Sequence, residues 1–325
     1  MLVSDVIILL GGYAMNLNNK ELPLCMIGTW AWGTGSNGSR IVFGKKYDEE
    51  QLKETFLTAY NAGFKLWDTA EVYGMGNAEK LLGRCINNFS NIFISTKFQP
   101  EKKNKSGAAE KALHNSMKRL GVDHVYLYWL HKPYNIRENM KEMAMCVKQG
   151  FIHKIGLSNC NISQIKEAQE ELSKYGLKLY AVQNHYSLLS MQRQKEVLDY
   201  CTANGILFFG YMVLEQGALS GHYDEKHPLP FLSYRGFTFH KRKLRKIQQL
   251  IDYERELAIK YSVDAAQIPV AWAMAKNVIP IIGLTKPKHA ESLEKGVHVV
   301  LQSEEIFCLE QLAIESGVVS KGTWE

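Results

Sequence analysis

Eight short runs of β-forming residues alternate with segments of helical periodicity, and this order constrains the chain more than any other feature. The runs span residues 24–29, 64–67, 92–96, 125–130, 154–157, 179–182, 207–209 and 279–282. Strands separated by helices pair in parallel rather than as hairpins, so the pattern is that of an α/β protein. Helix starts are legible between the runs. Asp48 with Gln51, Asn161 with Gln164 and Asp264 with Gln267 each place a capping residue three positions before a glutamine, the capping-box spacing. Leu52, Phe56 and Ala59 follow the first at helical spacing, and Ile162, Ile165, Ala168 and Leu172 share one face after the second. Helices are expected over 74–89, 106–120 and 137–149 as well.

Eight β/α units imply a closed (β/α)8 TIM barrel, here a single domain over residues 15–325 with its site at the C-terminal ends of the strands. The turn signal Asn18-Asn19 predicts an N-terminal β-hairpin within residues 15–29 that closes one barrel end. A C-terminal helical extension is expected after the last strand. The alternative, a doubly wound open sheet, needs a glycine-rich dinucleotide turn. Gly33, Gly35 and Gly38 have that spacing, but they follow a hairpin-like segment and open no clear helix. The longest connection, residues 220–242, contains Pro228 and Pro230. Its Phe231, Tyr234, Arg235, Phe237 and Phe239 either clamp a ligand or cover the barrel mouth, and covering is the simpler reading.

A barrel enzyme requires chemically useful side chains where strands finish, and seven of the eight strands meet that demand in order. They end in Asp68, Lys97, His131, Ser158-Asn159, Gln183-Asn184, Tyr211, and Gly283 with Thr285-Lys286 beyond it. Any one of these alone reads as a solvated or structural residue. Asp68, Tyr73, Lys97 and His131 form a chemical unit. A phenol titrates at about 10, and a neighbouring ammonium favours the phenolate. Lowering Tyr73 by about two units corresponds to roughly 2.7 kcal/mol of differential stabilisation. Asp68 would hold Lys97 charged, Tyr73 would protonate a forming alkoxide, and His131 would orient a carbonyl oxygen through a neutral N–H or assist proton transfer. Neither a nucleophile pair nor a metal-binding carboxylate cluster is present in the sequence pattern.

Composition narrows the setting. Apolar residues make up 46% of the 325, enough for a large core, and the formal net charge is only +6. The densest basic cluster, His240-Lys241-Arg242-Lys243-Leu244-Arg245-Lys246, reads as a solvated face before a helix rather than a nucleic-acid patch. Cysteines 25, 85, 146, 160, 201 and 308 form no C-x-x-C pair, so they read as thiols of a reducing, cytoplasmic compartment. The apolar run at residues 6–10 is too short for a membrane span and lacks signal-peptide flanks. Leu10-Gly11-Gly12-Tyr13-Ala14-Met15 is what a bacterial ribosome-binding site followed by a start codon encodes. On that reading natural translation begins at Met15 and residues 1–14 are a non-native extension; the other reading is an ordinary N-terminal extension.

The segments Trp67-Asp68-Thr69-Ala70-Glu71-Val72-Tyr73-Gly74, Ser95-Thr96-Lys97, Leu130-His131-Lys132-Pro133 and Gly156-Leu157-Ser158-Asn159 resemble the aldo-keto reductases, and the likeness runs from about residue 22 to 293. The resemblance implies a (β/α)8 barrel that binds an extended NADP cofactor and transfers hydride to an aldehyde or ketone, a small-molecule partner. By it Tyr73 is the general acid, Lys97 and Asp68 tune it, and His131 positions substrate. Gly28-Thr29-Trp30 matches the motif ending the first barrel strand, and Asp68 borders the cofactor too. Ser158, Asn159 and Gln183 match groups that bond the carboxamide, and Tyr211 matches the aromatic stacked on the nicotinamide. Trp30, Trp32, Tyr73 and His131 would line the substrate pocket.

Two departures from the family pattern matter. Met212-Val213-Leu214 stands where Ser-Pro-Leu is common, ahead of the expected Gly217-Ala218-Leu219-Ser220-Gly221. Met212, Leu214, Gly217 and Leu219 would then meet the pyrophosphate through backbone rather than a hydroxyl. Gly283, Thr285 and Lys286 match the 2′-phosphate loop and favour NADPH over NADH. His289 replaces the usual Arg or Gln, and Ser292 and Leu293 replace the usual acidic residue and Asn. The leading expectation is a carbonyl reductase. The alternatives are a nucleotide-binding regulatory subunit resembling potassium-channel β subunits, or a member working oxidatively or as a dehydratase or cyclase.

Overall fold

A computed structural model describes residues 15–16, 21–22, 25–34, 39–102 and 105–322. The start-site reading at residues 1–14, with Gly35 and Gly38, lies outside the described residues. Two short strands, β1 (Met15–Asn16) and β2 (Glu21–Leu22), pair antiparallel as the expected hairpin. All eight expected runs then form strands: β3 (Met26–Gly28), β4 (Leu66–Asp68), β5 (Phe93–Phe98), β6 (Val125–Leu130), β7 (Ile152–Ser158), β8 (Ala181–His185), β9 (Leu207–Tyr211) and β10 (Ile279–Gly283). They close in the order β10-β3-β4-β5-β6-β7-β8-β9, with β10 also bonded to β9, every barrel pair being parallel. This is the (β/α)8 barrel expected from the sequence.

The helices occupy the intervals. After β3 come α1 (Ser39–Phe43) and α2 (Glu49–Asn61), then α3 (Asn77–Ile86), α4 (Ala108–Leu120), α5 (Ile136–Lys148), α6 (Ile162–Ser173) and α7 (Met191–Ala203), one after each strand. Between β9 and β10 lie α8 (Tyr234–Thr238), α9 (Lys241–Lys246), α10 (Gln248–Tyr261) and α11 (Gln267–Ala275). Two further helices, α12 (Pro287–Gly296) and α13 (Ser303–Glu315), form the C-terminal extension. The capping expectations divide three ways. Asn161 and Gln164 make the full box at α6. Asp48 caps α2, but the Gln51 amide donates to the Thr285 carbonyl at 2.5 Å instead of closing the box. At α11 the box is absent, because Gln267 gives its amide to Ser292 and the helix begins after Ala266. Residues 74–76 belong to turns, so α3 begins later than expected.

Side chains on the barrel strands alternate between two buried clusters, as a period of two requires. Ile27, Trp67, Tyr128, Leu157, Val182, Phe208 and Ile282 belong to the larger cluster with the helices. Met26, Leu66, Trp129, Ala181, Phe209 and Ile281 belong to a smaller one that fills the barrel. Counting two residues on from the second set gives Gly28, Asp68, His131, Gln183, Tyr211 and Gly283. The strand pattern itself therefore aims these six at the barrel mouth.

The basic segment is mostly exposed, with Lys241–Lys246 helical after the extended His240, and Arg245 pairs with Glu225. Part of the long connection packs beside α1, where Pro230 and Ser233 sit against Gly44. Arg235 and Phe239 are buried, whereas Phe231 and Phe237 face outward. No helix among the described residues is long and apolar enough to cross a membrane. All six cysteines are free.

Candidate active site

Lys97 has no exposed surface, and its ammonium donates to Asp68 Oδ2 and, at 2.8 Å, to the Thr69 carbonyl. Asp68 is satisfied on its other oxygen by Ser95 Oγ at 2.7 Å and Gln183 Nε2 at 3.4 Å. Trp129 Nε1 donates to Ser95 Oγ at 2.5 Å, and the indole has room only because residue 156 is glycine: a Cβ there would lie 2.1 Å from its ring. Thus Ser95, Trp129 and Gly156, on three strands, hold one carboxylate. Burying this ion pair is tolerable because its polar atoms are hydrogen-bonded.

Tyr73 leaves the turn after β4. Gly74, at φ 56°, follows it, and a Cβ there would lie 2.5 Å from the Thr34 backbone. Only glycine permits that approach of two chain segments. The Lys97 ammonium is 4.8 Å from the Tyr73 ring centroid, and the rings of His131 and Trp30 are 6.1 and 6.2 Å away. The four residues of the expected chemical unit are therefore neighbours. One expectation fails. Burial pushes the Tyr73 phenol well above its ordinary value, with Asp68 and Tyr211 adding in the same direction. The phenol is therefore protonated at neutral pH.

Burial, helped by Lys97 and Lys132, holds His131 well below the ordinary histidine range. Burial also lowers His289 to about 4, with Lys286, Lys288 and Lys45 acting in the same sense. Both imidazoles are neutral at pH 7. Above pH 6.5 the unfolded chain holds no extra proton either. Below it the unfolded chain takes up protons that the fold refuses, so stability falls with pH, for His289 down to about 4. His131→Gln should flatten this decline in urea midpoints measured from about pH 7 to about pH 5. An unaltered slope would remove His131 from it.

A continuous cleft of about 620 Å³ joins these residues to a basic end. Gly28, Trp30, Asp68, Tyr73, His131, Ser158, Gln183 and Tyr211 line one part, Met212, Leu214 and Gly217 the middle, and Gly283, Thr285, Lys286 and His289 the far part. Five expected residues stand apart from its wall, Lys97 among them, wholly buried against Asp68. Thr29 has the outward strand parity and gives its hydroxyl to the Asp68 carbonyl at 3.0 Å. Trp32 turns inward, donating to the Leu284 carbonyl at 2.7 Å and meeting Trp67 edge-on. Leu219 is core. Asn159, at φ 57°, bonds the His131 carbonyl at 2.8 Å and receives the Tyr211 hydroxyl at 2.6 Å, so it reaches the cleft only through neighbours. The structure adds Phe43, Lys45, Tyr47, Tyr223 and Lys288, which come from connections rather than strand ends. Their one sequence signal is the pair Lys45-Lys46 before the Asp48 cap.

The cleft suits an elongated anionic dinucleotide. A Cβ at Gly283 would meet only the Gly28 carbonyl, at 3.8 Å, and Thr285, Lys286, Lys288 and Lys45 gather where α12 begins, so positive charge and the helix N-terminal end favour an anion there. A family model described as Aldo/keto reductase family matches residues 25–314. The aldo-keto reductase yakc of Schizosaccharomyces pombe, whose name carries NADP(+), is 30% identical over 284 residues, covering 80% of this chain and 82% of the relative. The chloroplastic pyridoxal reductase of Arabidopsis thaliana is 28% identical over 309 residues, covering 89% of this chain and 82% of its own. A solved glycerol dehydrogenase, AKR11B4 from Gluconobacter oxydans, superposes with a TM-score of 0.80 at 22% identity, covering 95% of this chain and 96% of the other.

Proposed function

Because this chain belongs to the aldo/keto reductase family, we propose that it reduces an aldehyde or ketone to an alcohol in the cytoplasm, with NADPH as the reductant. The observation that carries this reading is one cleft with a protonated Tyr73, a neutral His131 and the buried Lys97–Asp68 pair at one end and a lysine cluster at the other.

NADPH, when bound, supplies the hydride that reduces the carbonyl carbon. Tyr73 then gives its phenolic proton to the oxygen as negative charge develops there. An alkoxide is a far stronger base than a phenolate, so even a phenol raised by burial donates downhill. The phenolate left behind is stabilised by the Lys97 ammonium, whose charge Asp68 maintains. Lys97 thus acts after proton transfer rather than by ionising Tyr73 beforehand. His131, being neutral, offers a hydrogen bond to the carbonyl oxygen without adding a charge to a buried site.

Ser158 and Gln183 would meet the carboxamide, and Tyr211 would stack on the nicotinamide ring; all three line the cleft. Gly28 and the stretch 212–217, which line the cleft between those groups and the lysines, would border the middle of the cofactor. Lys286 and Thr285 would receive the 2′-phosphate, with Lys45 and Lys288 contributing charge that the neutral His289 does not. Losing one charge-assisted contact of about 1.5–3 kcal/mol predicts that Lys286→Ala raises the Kd for NADPH roughly 10- to 100-fold and leaves that for NADH nearly unchanged. Fluorescence titration with both nucleotides checks this; equal losses would remove Lys286 from the phosphate.

The direct test is NADPH oxidation with an activated aromatic aldehyde. Turnover is the expected result. Tight NADPH binding without turnover across a panel of carbonyls would overturn the reductase reading and favour a nucleotide sensor.

A further inference from the structure

A second buried polar cluster lies behind Tyr211. His185 and Glu215 have no exposed surface, and His185 Nε2 is hydrogen-bonded to Glu215 Oε1 at 2.8 Å. The same oxygen accepts the Ser187 hydroxyl, and Oε2 accepts the Ser320 hydroxyl at 2.8 Å. The imidazole of His185 stacks on the Tyr211 ring, centroids 5.7 Å apart and planes at 23°. Tyr211 is therefore held on one face by His185 and at its hydroxyl by Asn159, while it lines the cleft.

Glu215 also sits in the most irregular stretch of the cleft wall. Met212, Glu215 and Gln216 have φ of 58°, 46° and 56°, the left-handed region that residues other than glycine avoid. Such backbone persists only where surroundings over-determine it. The Glu215 carboxylate, gripped from beneath by three side chains, is such a constraint, and one of the three comes from far along the chain. Ser320 lies beyond α13, with its N–H on the Leu189 carbonyl at 2.9 Å and its own carbonyl receiving Arg193 at 3.3 Å. It is itself buried.

We propose that the C-terminal segment at Ser320 is a working part of the cofactor site: through Glu215 and His185 it positions Tyr211 and the stretch 212–217 against the nicotinamide half of the cofactor. Ser320, Glu215 and His185 are positioning residues, since none donates to the reacting atoms. The inference rests on the NADPH reading of the cleft.

Ser320→Ala and Glu215→Gln, with Ser320→Thr to restore the hydroxyl and the exposed Lys321→Ala as control, are compared by calorimetry. The probes are NADPH and adenosine 2′-monophosphate, which carries only the far end of the cofactor. Ser320→Ala is expected to weaken NADPH about tenfold and Glu215→Gln by at least as much, the loss of one hydrogen bond to a charged group. The nucleoside monophosphate should bind all variants within about twofold of wild type, and Ser320→Thr should recover most of the NADPH affinity. Unchanged NADPH binding in both Ser320→Ala and Glu215→Gln overturns the inference. Equal weakening of both probes overturns it too, because that is general loosening. Failure of wild type to bind NADPH would instead remove the reading of the cleft, and the inference with it.

Discussion

Tyr73→Phe should lower kcat for carbonyl reduction by roughly 10²- to 10⁴-fold, the range for loss of a positioned general acid. The packing of the ring against Trp30 and His131 does not depend on the hydroxyl, so Kd for NADPH and thermal stability should stay near wild type. Steady-state rates with one aldehyde, alongside nucleotide titration, separate the two effects. Rates equal to wild type would remove Tyr73 from its role. A parallel loss of nucleotide binding would mean that the hydroxyl shapes the cleft rather than supplying a proton.

Asp68→Asn is the second large effect, and it acts on stability as well as rate. The substitution leaves Lys97 buried with a neutral amide and the Thr69 carbonyl in place of a carboxylate. Breaking a buried pair by removing one partner costs about 3–5 kcal/mol. Burial already pulls the Lys97 ammonium below its ordinary 10.5, opposed by Asp68. Without Asp68 it falls further. A cation with a depressed folded pKa imposes its full cost below that pKa, and the cost is relieved as pH rises toward the unfolded value. The variant should therefore recover stability relative to wild type between about pH 7 and pH 10 in denaturant titrations. A deficit that does not vary with pH would point to lost shape rather than to an uncompensated charge.

Local pattern made the barrel legible, and side-chain reach set the limit. Val125–Leu130 has the bounds expected from sequence because all six of its residues are buried and apolar or aromatic. Strand β5 runs two residues past its apolar run, since Lys97 behaves as an interior residue once Asp68 is paired with it. Strand β7 begins earlier than expected, at Ile152, because His153 and Lys154 interrupt the apolar signal at its start. The inward parity of β4, β5 and β6 puts Asp68, Lys97 and His131 on one face, which sequence spacing alone can show. Thr29 and Asn159 carry matching motif letters but have the other parity or a left-handed backbone. Trp32 is two residues from the cleft-lining Trp30, and its tight turn sends the second indole elsewhere. The reversed direction of the Tyr73 titration comes from burial, which no residue list contains. Lys45, Tyr47 and Tyr223 arrive on connections whose paths depend on the whole fold. The Ser320–Glu215 bond spans 105 residues, and no local periodicity reports it.

The bracing of Asp68 by Ser95, Trp129 and Gly156 has a consequence for how such a protein diversifies. Those three residues lie on strands, whereas Phe43, Lys45, Tyr47, Tyr223 and Arg235, which line much of the remaining cleft, lie on the connections after β3 and β9. The connections can therefore lengthen, shorten or change sequence while Asp68 and the Lys97 paired with it keep their places. A laboratory seeking a new carbonyl substrate for this scaffold would randomise residues 39–44 and 221–236, keep Lys45, and leave the strand ends alone.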